Sequence, residues 1–160
     1  MKKVFIGILV LLGIFILILQ FIPLGIEPLT ELYFENHTGL RANSFPNTAY
    51  PFTFTIHNLE YQDMAYNYTI QVFDVNSTLI STLDTGRIYL TDNETKSISR
   101  FYIFPKGFNR YQIKITIEKD HLGTTPDFKT KLWWQDPNYP YTIDIHFWTD
   151  EVTGPIIIFT

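Results

Sequence analysis

Two hydropathy patterns divide the chain. The first is a continuous apolar run from Val4 to Ile22, in which only Gln20 is strongly polar. As a helix this run would measure roughly 28 Å at about 1.5 Å per residue, close to the thickness of a bilayer's hydrocarbon core. Lys2 and Lys3 precede it, and the positive-inside rule places that flank in the cytoplasm. The pattern predicts a single-pass protein: residues 1–3 a cytoplasmic stub, 4–22 a signal anchor in the lipid bilayer, 23–28 a short linker and 29–160 an extracellular domain. A cleaved signal peptide would have a shorter apolar region ending in small residues. Here the run ends in LQFIPLGIEP, so retention of the anchor is the expectation.

The second pattern is alternation with period two. Phe52, Phe54 and Ile56 alternate with Thr53, Thr55 and His57. Tyr66, Tyr68, Ile70 and Val72 alternate with Asn67, Thr69 and Gln71. Tyr111, Ile113, Ile115 and Ile117 alternate with Gln112, Lys114, Thr116 and Glu118, and Ile143, Ile145 and Phe147 with Thr142, Asp144 and His146. Such segments form antiparallel sheets with one wet face. Weaker runs at 29–34, 78–83, 87–90 and 96–104 are separated by the turn signals ENHTG, EYQD, DVNS, DTG, TDNE and PKGFN. The expected fold is all-β: an immunoglobulin-like antiparallel β-sandwich of seven to eight strands preceded by one transmembrane helix.

Composition narrows the chemistry. Without Lys2 and Lys3, ten basic residues face sixteen acidic ones. Such a surface argues against nucleic acid and anionic lipid as partners. Cysteine is absent, which excludes thiol catalysis, thiolate metal sites and disulfides, so core burial must hold the outer domain together. No cofactor motif occurs. His57 and His146 lie on outward faces, with Asp144, Asp150 and Glu151 near the second, but neither His-x-His nor HExxH spacing is present, and a solvated sheet face is the better reading. Glu31/Glu35 and Asp150/Glu151 are unremarkable as acid–base pairs. The expectation is a protein that is not an enzyme.

Four Asn-x-Thr sequons follow the anchor, at Asn36, Asn67, Asn76 and Asn93. Three fall in expected turns and Asn67 on a wet strand face, so all could carry glycans outside the cell. The long connection 121–141 holds Trp133, Trp134, Tyr139 and Tyr141 among prolines. These rings suit either a sugar-stacking platform or a hydrophobic cap on the sandwich. The tail VTGPIIIFT ends in Ile156, Ile157, Ile158 and Phe159 without alternation. It reads as a strand packed on its own domain or, second, as one donated to a neighbour.

The segments LTELYFENHTG, FTFTIHNLEYQDMAYNYTIQV and IDIHFWTDEV, with Ile56, Asn58 and Glu60 closing a strand, resemble an uncharacterised archaeal membrane-protein family, the domain of unknown function 1616. The resemblance spans scattered pieces from Leu29 to Val152. It implies an archaeal cell-surface location and no site residues; its typical members carry several membrane helices where this chain has one. The resulting expectation is a glycosylated, membrane-anchored surface module that contacts an envelope protein or glycan. A carbohydrate-binding module using Trp133, Trp134 and Tyr139 is the alternative. A strand-donating subunit that self-associates through 154–160 is another.

Overall fold

The computed structural model describes residues 2–21, 28–121 and 140–153. The helix α1 covers Lys2–Phe21, nearly all of the expected span, and its described side chains lie within Gly7–Leu17. Among the described residues no helix is long and apolar enough to cross a membrane. Trp133, Trp134, Tyr139 and the tail residues Ile156–Phe159 lie outside the described residues.

Among the described residues eight strands follow: β1 (Leu29–Phe34), β2 (Asn43–Ser44), β3 (Tyr50–Leu59), β4 (Met64–Phe73), β5 (Leu79–Leu90), β6 (Thr95–Tyr102), β7 (Arg110–His121) and β8 (Thr142–Glu151). One sheet has the order β1-β3-β6 and the other β2-β8-β7-β4-β5. All ladders are antiparallel except the two-residue β2–β8 pairing, Asn43 with Asp150 and Ser44 with Glu151. The sandwich therefore has two flanks. β5 and β6 meet on one, while β1, β2 and β8 form the other.

The alternating residues pack as their period requires. Phe54, Ile56, Tyr66, Ile70, Val72, Ile113, Ile115 and Ile117 are fully buried between the sheets. Aromatic rings close the end where β8 finishes: Phe147 meets Phe34 edge-on at 5.3 Å between centroids, and Phe104 lies 5.1 Å from both Phe108 and Tyr111. At this exit end Ser44 bonds the Tyr102 hydroxyl at 3.0 Å and Thr149 at 2.6 Å, so its buried hydroxyls satisfy one another.

The sequence divides one region differently. DTG is not a turn: Asp84, Thr85 and Gly86 lie inside β5, which merges the two short runs expected at 78–83 and 87–90. Two register shifts against β4, at Ile70/Gln71 and Val72/Phe73, leave Leu83 and Ile80 of β5 as extra residues, so the chain bulges along one strand and does not turn. Gly86 serves packing there. A Cβ at this position would sit 2.5 Å from the Tyr68 ring, so only glycine lets that ring cross the strand.

Candidate functional surfaces

Ionic and polar side chains gather in three places. At the entry end, near Leu29, Ile56, Asn58 and Glu60 are all fully buried. Glu60 Oε1 accepts from Lys119 Nζ at 2.8 Å and from Thr30 Oγ1 at 2.6 Å. Asn58 donates through Nδ2 to the carbonyls of Gln62, Leu90 and Thr91 at 2.7–3.1 Å. Its Oδ1 accepts from the Glu60 amide at 3.1 Å and the Tyr66 hydroxyl at 3.0 Å. Burial, chiefly, raises the Tyr66 hydroxyl pKa. The cluster ties the ends of β3, β4, β5 and β7 to β1 and has no open face, so it is architectural.

The second group crosses the β5/β6 flank. Arg100 Nε contacts Asp84 Oδ2 at 2.5 Å, and the Tyr68 hydroxyl donates to the same oxygen at 3.0 Å. Desolvation alone would raise the Asp84 carboxyl. The bonds from Arg100 and Tyr68 more than offset it and hold the pKa below the usual range. Burial leads the opposite shift, upward, at Tyr68. This trio fastens one sheet to the other where, among the described residues, neither β5 nor β6 has a second ladder partner.

The third group lies on the outer face of the three-stranded sheet. His57 Nδ1 is 3.0 Å from Glu31 Oε2, and its Nε2 is 3.2 Å from Asn93 Oδ1. Beside it Thr55 bonds Glu35 and lies 2.8 Å from Ser97 Oγ, while Thr53 and Ser99 pair at 2.8 Å. Both ring nitrogens of His57 are engaged, and the neighbouring hydroxyls are occupied with Glu35 or with each other. No nucleophile–base pair faces open space here.

The remaining candidates are dispersed. His57 is on the outer face of one sheet and His146 on that of the other, with the core between them, so they share no cavity. Asp144 is 3.4 Å from Lys114, and Asp150 is 3.4 Å from Arg110. The Glu151 carboxylate accepts from the amides of Gly107 and Asn109 at 2.9–3.2 Å. Among the described residues no group of three or more His, Cys, Asp or Glu side chains could hold a metal. Two open clefts, about 450 and 270 Å³, flank the crossover at residues 36–43, with Arg41 and Glu35 their charged residues.

Asn36, Asn76 and Asn93 are exposed in turns, whereas Asn67 is half-buried in β4 between Arg87 and Glu118. Asn36 Oδ1 accepts from the Thr38 hydroxyl at 2.9 Å and the Gly39 amide at 3.0 Å. Asn93 adopts φ 62°, a left-handed conformation asparagine tolerates well. Sequence reasoning missed Lys119 and the Tyr68–Asp84–Arg100 trio. Lys119 had a signal: it continues the inward parity of Ile113, Ile115 and Ile117.

No family model and no curated protein matches the chain. Solved structures do. The CARDB domain of a Pyrococcus furiosus protein, in complex with di-metal ions, is similar at 14% identity and a TM-score of 0.50, over 82% of this chain and 97% of that one. A chain from the complex of zinc 2-glycoprotein with prolactin inducible protein, from human seminal plasma, is similar at 10% identity and a TM-score of 0.51, over 78% and 94%. At these identities the likeness concerns the fold alone: the chain is a two-sheet β-sandwich of the immunoglobulin-like kind.

Proposed function

We propose that the protein is a membrane-anchored surface module that works by contact and not by catalysis. One observation carries this reading. The polar groups suited to chemistry are consumed by bonds within the domain, whereas large apolar side chains remain exposed on its surface. Glu31, Glu35, Asp84, Asp144, Asp150 and Glu151 each have an intramolecular partner. By contrast Leu79, Ile80, Phe101 and Ile103 are 47–65% exposed. Exposed apolar surface of this kind marks contact sites.

The anchor is argued from the apolar run 4–22 behind Lys2 and Lys3. Extracellular placement makes Asn36, Asn76 and Asn93 the accessible glycan acceptors, with Asn67 less so because strands flank it on both sides. Protease treatment of intact cells expressing the full chain tests the reading. Release of residues 29–160 before lysis is the expected result; protection until lysis overturns it.

A further inference from the structure

The outer faces of the two sheets differ in what their side chains leave unspent. On the three-stranded sheet the central hydroxyls pair with one another or with Glu35. On the five-stranded sheet the registers align one row across four strands. Leu79 of β5 stands opposite Phe73 of β4, Phe73 opposite Gln112 of β7, and Gln112 opposite Trp148 of β8. Their strand neighbours Val72, Ile113 and Phe147 are buried in the core, so the period of two turns this row outward. Leu79 is exposed, and Phe73, Gln112 and Trp148 are half-buried. Two strand spacings of about 4.8 Å set the strands of Phe73 and Trp148 roughly 10 Å apart, with the Gln112 amide between them.

Polar groups border the row on both sides. Gln71 pairs with Lys114 and Lys114 with His146 in the next outward row, while Arg110 stands opposite Asp150 beyond Trp148. Among the described residues the side-chain amides of Gln71 and Gln112 make no hydrogen bond within the domain. Lys114 holds Asp144, and Arg110 holds Asp150, at 3.4 Å, longer than a tight charge-assisted bond. The Arg110 guanidinium rests 5.0 Å from the centroid of the Trp148 ring.

This mixture specifies the chemistry of a partner. The centre of a protein interface is depleted of charge, whereas here amides and loosely held ions flank both rings. Lys114 and Arg110 are balanced by Asp144 and Asp150, so the face favours neither a polyanion nor a polycation. A sugar ring has apolar C–H faces edged with hydroxyls. The faces stack on aromatic rings, and the hydroxyls bond to amides and charged groups. We propose that this row binds a neutral oligosaccharide, stacked on Trp148 and Phe73 and hydrogen-bonded through Gln112 and Gln71. The site is at the far end of the sheet from His121 and Thr142, where the connection 121–141 leaves and rejoins it. It supplies the partner class for the contact reading above and rests on that reading.

The test uses the full chain in nanodiscs of zwitterionic lipid, titrated calorimetrically with cellohexaose, mannohexaose and maltohexaose. Saturable binding of at least one is expected, weakened at least tenfold by Trp148→Ala and by Gln112→Ala, and restored by Trp148→Tyr. Phe101→Ala, on the opposite sheet, should leave it unchanged. Melting temperatures of the variants separate lost contact from lost fold, and Gln112→Ala is expected to melt with the parent chain. Absence of saturable binding for all three sugars overturns the proposal. So does binding that Trp133→Ala/Trp134→Ala abolishes and Trp148→Ala leaves intact. Binding in nanodiscs does not depend on which side of a cell membrane the domain faces. Its failure therefore removes only this site, whereas protection from protease on intact cells removes only the anchored placement.

Discussion

Lys119 Nζ and Glu60 Oε1 are 2.8 Å apart, and their side chains are 1% and 0% exposed. Such a pair loses two hydration shells on folding, so its presence alone is weak evidence of net stabilisation. Breaking it is another matter. Lys119→Met would take the charged Nζ donor away from the buried Glu60 carboxylate, a cost of about 3–5 kcal/mol. The double variant Glu60→Leu/Lys119→Met removes both charges and should lose much less than the two single changes added together. Chemical denaturation of the three variants measures the difference. Additive losses would show that the two charges do not depend on each other.

Asn58 offers a sharper chemical test. Its Nδ2 donates toward three carbonyls, of Gln62, Leu90 and Thr91. Asn58→Asp replaces that donor by an acceptor aimed at the same three oxygens. The new carboxyl would favour its protonated form in the folded state, so its folded pKa would be raised above the unfolded one. The variant should be destabilised by more than about 3 kcal/mol at neutral pH, the range for an uncompensated buried charge. It should recover part of that loss as pH falls toward about 4. Denaturant midpoints at the two pH values decide it; a loss independent of pH would mean that the side chain turns away from the carbonyls.

These two residues also show what the sequence discloses and what it hides. Period-two alternation reveals which residues of β3, β4, β7 and β8 face inward, because burial on a pleated sheet has that period by construction. It cannot reveal pairing between strands far apart in the chain. Glu60 sits in a turn signal, EYQD, and reads as solvated; only the folded chain brings Lys119, 59 residues away, to meet it. The same limit hides Asp84, which reads as part of a turn until Arg100 fixes it inside β5. The outward placement of His57 and His146 is legible, whereas their separation on two different sheets depends on topology.

Gly86 and Tyr68 define a third expectation. A methyl group added at Gly86 would overlap the Tyr68 ring, with ring carbon and hydroxyl oxygen at 2.5–2.6 Å. That ring is 6% exposed, and its hydroxyl is bonded to Asp84. It cannot swing away without releasing the link between the sheets. Gly86→Ala should cost about 1–3 kcal/mol, as overpacking does elsewhere. Adding Tyr68→Leu should recover part of it by removing the obstructing ring. Thermal melts of the single and double variants provide the comparison, and equal stability for Gly86→Ala and the parent chain would show that the flank is plastic.

Alkaline pH should unfold the domain before acid does. Burial is the leading cause that raises the hydroxyl pKa of Tyr66, Tyr68 and Tyr102 in the folded state. In the unfolded chain these hydroxyls titrate near about 10. Below that value both states are protonated and the contribution to stability is complete. As pH rises above it, the unfolded state loses protons that the folded state retains, so stability falls through the interval up to the raised folded values. On the acid side Asp74 and Glu94 behave oppositely. Backbone hydrogen bonds, from Thr78 and Thr91 respectively, lower their pKa, and their contribution disappears as pH drops below the ordinary carboxylate range. Asp84, which desolvation would raise but Arg100 and Tyr68 hold below the ordinary range, adds to the acid loss, but none of these three carboxylates is buried in the core, whereas the alkaline loss draws on three tyrosines that are. Melting temperatures measured from pH 3 to pH 12, with tyrosinate absorbance followed in parallel, should therefore fall more steeply at the alkaline end. Ionisation of all tyrosines near pH 10 in a chain that stays folded would contradict the burial of Tyr66 and Tyr102.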